Sequence, residues 1–153
     1  MRRKDREITD RALIERIMEK ASVCRIAVSE NDRPYIIPMN FGYQDNCLYL
    51  HSAGEGKKID IIKKNRNICF EMEAECEFVK AEKPCDWSMK YYSVVGFGKA
   101  FLADGYEQKR KGLDAIVKKY TGKPYSEYPE AVLEKLAVIR VEIDSITGKK
   151  SDG

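Results

Sequence analysis

The sequence predicts a mainly β domain, a small β-barrel of antiparallel strands with helices at its periphery. Three observations carry this. Residues 68–73 alternate Ile68, Phe70 and Met72 with Cys69, Glu71 and Glu73, the period of a half-buried strand. Residues 139–144 repeat the pattern, Ile139, Val141 and Ile143 against Arg140, Glu142 and Asp144. In a third strand, 91–103, Gly96, Gly98 and Ala100 share one face, where small residues let a strand bend sharply or a ring come close. Bent, glycine-marked strands suit a small closed or split barrel.

The elements follow in order. Thr9 reads as the cap of a first helix, with Ile8 and Leu13 placed for a hydrophobic staple. Leu13, Ile14, Ile17, Met18 and Ala21 then form one apolar stripe. Val23–Ser29 is a β-rich strand, and residues 30–33 are a turn. Arg33–Tyr43 reads as one long strand. Pro34 and Pro38 make it an edge strand, a bulged strand or one facing a ligand. Residues 44–46 turn the chain back into Cys47–His51, giving an antiparallel meander. Lys57–Lys64 is a helix with Ile59, Ile61 and Ile62 as its apolar residues and Asn65 as its stop. Residues 80–90, with Pro84, read as a loop. Asp104 and Glu107 resemble a capping box opening a helix with Leu113, Ile116, Val117 and Tyr120 on one face. The Pro124–Pro129 connection leads to a short helix ending at Leu136, before the last strand.

Composition bounds the rest. The 153 residues fit one domain, 1–153, large enough to bury a core without a disulfide or metal. A mean hydropathy of −0.52 fits a soluble chain. The net charge of +3 suits a phosphorylated ligand without demanding nucleic acid, and basic residues are interleaved with acidic ones. No aromatic-plus-basic strand face stands out, so no nucleic-acid partner is expected. Five cysteines without a C-x-x-C pair, one histidine and no apolar signal region point to reduced packing thiols, no metal site and a cytoplasmic setting. No apolar run is long enough to span a bilayer, so no membrane partner is expected. Glu71, Glu73, Glu75 and Glu77 read as a solvated strand face.

The richest segment is Leu48 to Lys58. A strand runs into His51, then Ser52, then a glycine-broken loop, then Gly56, Lys57 and Lys58 opening a helix. Loop and helix-start N–H groups can converge on an anion there, the helix dipole favours negative charge, and the lysines add full charges. Two lysines at a helix N-terminus are otherwise mildly unfavourable.

Four segments together, in this order, resemble the FMN-binding split β-barrel of the pyridoxamine 5'-phosphate oxidase-like superfamily, nearest to its nitroimidazole-resistance (Nim-type) branch. They are Pro34–Tyr43 (Pro-Tyr-Ile-Ile-Pro-Met-Asn-Phe-Gly-Tyr), Leu48–Ile62, Tyr92–Ala100 (Tyr-Ser-Val-Val-Gly-Phe-Gly-Lys-Ala) and Ile146–Lys149 (Ile-Thr-Gly-Lys). The resemblance implies FMN as cofactor and a homodimer with the cofactor at the subunit interface. Gly56, Lys57 and Lys58 would hold the phosphate, and His51 and Ser52 would sit near the flavin or ribityl chain. Pro38, Met39 and Asn40 would line the isoalloxazine edge, and Tyr92 and Ser93 would contribute from the other subunit.

Two departures narrow the chemistry. Gly-Lys-Lys stands where the superfamily has a Ser-Arg-Lys type cluster, so two point charges replace a bidentate fork. The arginine-, histidine- and tryptophan-rich C-terminal substrate motif of true pyridoxamine phosphate oxidases is missing, which argues against vitamin B6 oxidation. The expected activity is hydride transfer from a nicotinamide, NAD(P)H, to FMN and electron transfer to a small acceptor such as a nitro-aromatic. The flavin supplies that chemistry; His51 is the best catalytic candidate, able to orient the ring or stabilise negative charge on it. A non-enzymatic flavin-binding or sensing protein, and a haem- or deazaflavin-binding split barrel, remain alternatives.

Overall fold

The computed structural model describes residues 3–125 and 127–153. Met1 and Arg2 of the basic N-terminus, and Ser126 of the Pro124–Pro129 connection, lie outside them. The elements run β1 (Glu7–Ile8), α1 (Arg11–Lys20), β2 (Cys24–Glu30), β3 (Arg33–Met39), β4 (Phe41–Gln44), β5 (Cys47–Ala53), α2 (Lys57–Lys64), β6 (Asn67–Val79), β7 (Ser88–Leu102), α3 (Gly105–Thr121), α4 (Glu130–Lys135) and β8 (Leu136–Asp152).

The strands form one antiparallel sheet in the order β3-β2-β6-β7-β8-β5-β4, with β1 added beside β8. Strands β3 and β4 are its two ends, yet only Asn40 separates them in the chain. The sheet must therefore curl until its edges meet at Asn40, where no ladder joins them. That is a split barrel. The expected single strand 33–43 is thus two strands. One residue of non-strand backbone lets the chain leave one edge and enter the other.

Local chemistry explains the hairpins. Asn31 and Asp32 turn β2 into β3 with φ of 50° and 60°, and Asp45 and Asn46 turn β4 into β5 with φ of 53° and 58°. Paired left-handed residues match the right-handed twist of the flanking strands, and Asn and Asp tolerate them best.

The barrel interior collects Ile26, Phe41, Leu48, Leu50, Phe70, Met72, Ile139 and Val141, all fully buried. Helix α2 seals it with Ile59, Ile61 and Ile62. At Gly96 a methyl group would stand 2.1 Å from Cζ of Phe70, so this glycine admits a ring. At Gly98 the obstacle is the Glu142 carbonyl, beside the register shift between β7 and β8.

A second, smaller core lies on the outside of the sheet. There α3 and α4 cover Tyr49 and Val138 with Leu113, Ala115, Ile116 and Leu133. A Cβ at Gly42 would fall 2.4 Å from the Ala115 backbone, which shows how closely α3 lies on β4.

Several boundaries differ from the sequence reading. Asp10, not Thr9, caps α1: its carboxylate accepts from the Ala12 N–H at 2.9 Å, while Ile8 is held in β1. The Asp104–Glu107 box does not form; the Gln108 side chain instead accepts from the Asp104 N–H. Strand β6 runs up to the expected loop at Val79 and β7 begins inside it at Ser88, leaving a short connection with a 3-10 turn at Pro84–Asp86. Strand β8 runs on to Asp152, because β7 offers a ladder partner all the way.

Candidate functional site: the split and the start of α2

The site begins at the split. Phe41 pairs with Leu50, so one further step of the same register brings Asn40 beside His51. Phe41 and Met39 both point into the core, so Asn40 between them faces outward. His51 shares the outward face of Tyr49. It is half-buried, and its Nδ1 is buried without a hydrogen-bond partner. A buried polar atom without a partner is costly, and it is satisfied when a ligand supplies the missing group.

Beyond β5 the chain makes a short loop, with the Gly54 N–H donating to the Lys135 carbonyl at 3.1 Å. Gly56 opens α2 with φ of 115°, a conformation that favours glycine, and no atom lies within 4 Å of where its Cβ would be. Its carbonyl accepts from the N–H groups of Ile59 and Asp60, and among the described residues no side chain caps the helix. The first N–H groups of α2 are therefore left without a side-chain cap among the described residues, as an anion site requires.

The two lysines differ. Lys57 is exposed and reaches over Tyr35 of β3, its ammonium 4.5 Å from the ring centroid. A cleft of about 430 Å³ adjoins it, lined by Glu30, Asn31, Arg33, Pro34 and Ile61. Lys58 is half-buried. A larger cavity of about 560 Å³ lies elsewhere, between the end of α1, β4 and α3.

The expected residues divide by location. Asn40 and His51 lie beside one another at the split, while Gly56, Lys57 and Lys58 open α2, where Lys57 reaches Tyr35 toward the other end of β3. Pro38 is exposed on the outer face of β3, opposite Arg25. The Met39 side chain is buried in the barrel, leaving only its backbone to line the split. Ser52 faces the opposite side of β5 from His51, and its hydroxyl donates to the Ala53 carbonyl at 2.8 Å. Tyr92 and Ser93 sit at the far end of β7, opposite Lys150 and Lys149 of β8, away from this chain's own split. Tyr35 was not anticipated. Reading Tyr35, Ile37 and Met39 as one inward-facing row would have placed it next to α2.

The cysteines stand apart from this chemistry. All five are free thiols. Burial, with Glu71 adding to it, pushes the Cys24 thiol up to about 12, and burial raises Cys47 and Cys69 as well. A thiol that stays protonated is a poor nucleophile and a poor redox centre. Among the described residues no group of His, Cys, Asp and Glu could hold a metal ion, and no helix is long and apolar enough to cross a membrane.

A sequence model of the family described as pyridoxamine 5'-phosphate oxidase matches residues 10–150. The chain belongs to the pyridoxamine 5'-phosphate oxidase family. Within the fold of that family, a candidate 5-nitroimidazole antibiotic resistance protein from Bacteroides thetaiotaomicron is 34% identical, with a TM-score of 0.83. The match covers 94% of this chain and 86% of that one. An FAD- and haem-binding protein from Mycobacterium smegmatis has a TM-score of 0.85 at 19% identity, covering 97% of this chain and 74% of that one. The flavocytochrome Anf3 from Azotobacter vinelandii has a TM-score of 0.84 at 18% identity, covering 100% and 72%. These last two share the fold. A search of curated proteins finds no match.

Proposed function

We propose that this protein binds FMN non-covalently at the split and passes electrons from a nicotinamide to a small acceptor such as a nitro-aromatic. The observation that carries the reading is the uncapped start of α2. Gly56 is held at φ of 115° beside open space, followed by Lys57 and Lys58, one short loop after the strand that carries a histidine whose Nδ1 lacks a partner. Each part fits one piece of a flavin mononucleotide. The α2 N–H groups and the lysine ammoniums hold the phosphate. Asn40 offers both donor and acceptor to the polar edge of the ring system. His51 orients that edge through Nδ1 and, when protonated, favours negative charge on it. The flavin supplies the hydride-accepting and electron-donating chemistry; the protein supplies placement and electrostatics. The identity to the Bacteroides protein supports a nitro-aromatic acceptor.

A homodimer completes the proposal. On the outer face of the sheet, Ile36, Ala27, Cys69 and Phe97 line up across β3, β2, β6 and β7 in direct register. Ile36 is 62% exposed and Phe97 55% exposed. Among the described residues no helix covers this row, whereas α3 and α4 cover the outside of β5. A second copy laid on the row would bury it and bring a further Tyr92 and Ser93 toward the split.

The test is direct. The purified protein, titrated with FMN and then gel-filtered, is expected to retain an oxidised-flavin spectrum, to bleach with NADPH or NADH, and to recover on adding a nitro-aromatic. A Soret band, or a protein that binds no FMN, would overturn the flavin reading. Bound flavin that no nicotinamide reduces would overturn the oxidoreductase reading and leave a flavin-binding sensor.

A further inference from the structure

The outer face beside His51 carries a second group of side chains that the proposed flavin site does not use. Phe101 of β7 lies opposite Arg140 of β8, and Lys99 lies opposite both Asn67 of β6 and Glu142 of β8. The Ala100 N–H donates to the Arg66 carbonyl at 2.8 Å, which ties Arg66 to the same place. Two guanidiniums converge on one ring: Cζ of Arg66 is 5.0 Å and Cζ of Arg140 is 5.6 Å from the Phe101 centroid.

The charges there do not balance. Glu142 is engaged by Arg140 through a 2.6 Å hydrogen bond. Among the described residues Arg66 has no carboxylate partner, and Lys99 donates to the Asn67 side-chain carbonyl rather than to an acid. Three cations thus face one anion. A ring face attracts each guanidinium, but two guanidiniums at one ring still repel one another. Arg140 Nε is moreover buried and has no partner. Like His51 Nδ1, it is a polar atom whose hydrogen bond is missing. Because His51 pairs with Val138 and Tyr49 with Arg140, His51 and Arg140 are diagonal neighbours on this face. The two unpartnered nitrogens therefore lie on the same face of the sheet, with the buried Tyr49 and Val138 between them.

We propose that Arg66, Lys99 and Arg140 around Phe101 form a phosphate subsite for the nucleotide electron donor, one that takes a phosphate monoester and so favours NADPH over NADH. The excess of two positive charges matches a phosphate monoester, which carries about −1.5 to −2 at neutral pH. Arginine forks suit its oxygens in a bidentate manner, and Phe101 supplies an apolar floor. Placed on Phe101, the phosphate of a dinucleotide would lie two strands away from His51, leaving its nicotinamide to span toward the Asn40–His51 corner. This rests on the flavin reading for the donor's purpose, though not for its binding. The sequence suggested no aromatic-plus-basic strand face; the register of β6, β7 and β8 assembles a small one. Its extent suits one nucleotide rather than a strand of nucleic acid, since the Cys69–Phe97 pair borders it along β6 and β7, with Glu71 and Glu73 beyond.

The experiment uses 2',5'-ADP as probe, titrated calorimetrically into the full chain with and without FMN. Binding is expected in both cases, weakened at least tenfold in an R66A/K99A variant whose FMN affinity and melting temperature stay near wild type. In turnover, the same variant should raise the NADPH-to-NADH ratio of KM values at least tenfold. Equal 2',5'-ADP binding by wild type and variant would overturn the subsite. So would loss of that binding in K57A/K58A instead, equally tight binding of inorganic phosphate, or tighter binding of an oligothymidylate than of 2',5'-ADP. A chain that binds 2',5'-ADP through Arg66 yet no FMN would uphold the subsite while removing the flavin reading.

Discussion

The two halves of the sheet's outer face have met the same problem in opposite ways. Over β4 and β5, helices α3 and α4 lie so close that Gly42 and Gly112 leave no space for a methyl group. Over β3, β2, β6 and β7 the outer row of Ile36, Ala27, Cys69 and Phe97 is left bare. A sheet with one face in the core needs no cover on the other. Large exposed apolar side chains in register do need a reason, and a second copy of the chain is the simplest. The split, with Asn40 and His51, lies where β3, from the bare half, runs into β4 of the covered half. The proposed cofactor site is thus placed where one subunit's packing ends and another's would begin.

Substitutions can break this contrast. The largest effect is expected at Gly42→Ala. Its new methyl meets the α3 backbone, which cannot move as a flexible side chain could. A loss of about 3 kcal/mol, or roughly 6–12 °C in Tm, should appear in thermal unfolding. A change within 1 °C would mean that α3 is not held against β4. Next comes K57A/K58A, at the boundary. FMN affinity should fall at least tenfold, about 1.4 kcal/mol, in a fluorescence titration, with Tm of the apoprotein little changed. Unchanged affinity would move the phosphate elsewhere. On the bare half, I36E/F97E should leave the fold intact and turn a dimer into a monomer in light scattering at micromolar concentration. If wild type is itself monomeric there, the bare row is not a dimer seam.

The smallest effect concerns Cys24, inside the bare half. Burial raises its folded-state value to about 12 from the ordinary 9.0. The unfolded chain therefore loses the thiol proton first. The stability this thiol contributes is fully present below about pH 9 and is lost as pH rises toward 12. Denaturant unfolding between pH 8 and 10.5 should show that decline, and Cys24→Ala should flatten part of it. Alkylation at pH 8 should modify the exposed Cys76 and Cys85 well before Cys24. An early-reacting Cys24 would contradict the packing of the sheet.

Much of this was legible in the residues. Period-two alternation at Ile68, Phe70 and Met72 and at Ile139, Val141 and Ile143 marked inward faces that are buried in the structure. The isoleucines of α2 and the turns at Asn31–Asp32 and Asp45–Asn46 were equally plain. Pro34 and Pro38 left an edge strand, a bulged strand or one facing a ligand, and β3 is an edge strand. What escaped depended on pairing. Nothing local distinguishes Asn40 from its strand neighbours; the break is visible only when β3 and β4 are seen at opposite ends of the sheet. Glu75, with φ of 56°, sits in a bulge that lets β6 run past the acidic stretch, and no propensity predicts it. The grouping of Arg66, Phe101 and Arg140 needs the register of three strands, and the opposed directions of His51 and Ser52 need the pleat.

Leaving a barrel unclosed also leaves two strand edges with unpaired backbone groups, a template onto which another molecule's strand could pair without limit. Here both are blunted. Along β3, Pro34 and Pro38 have no N–H to offer. Strand β4 is only four residues long, and the Tyr120 hydroxyl accepts from the Phe41 N–H at 3.2 Å. The opening proposed to receive the cofactor is thereby kept closed to fibrous self-association.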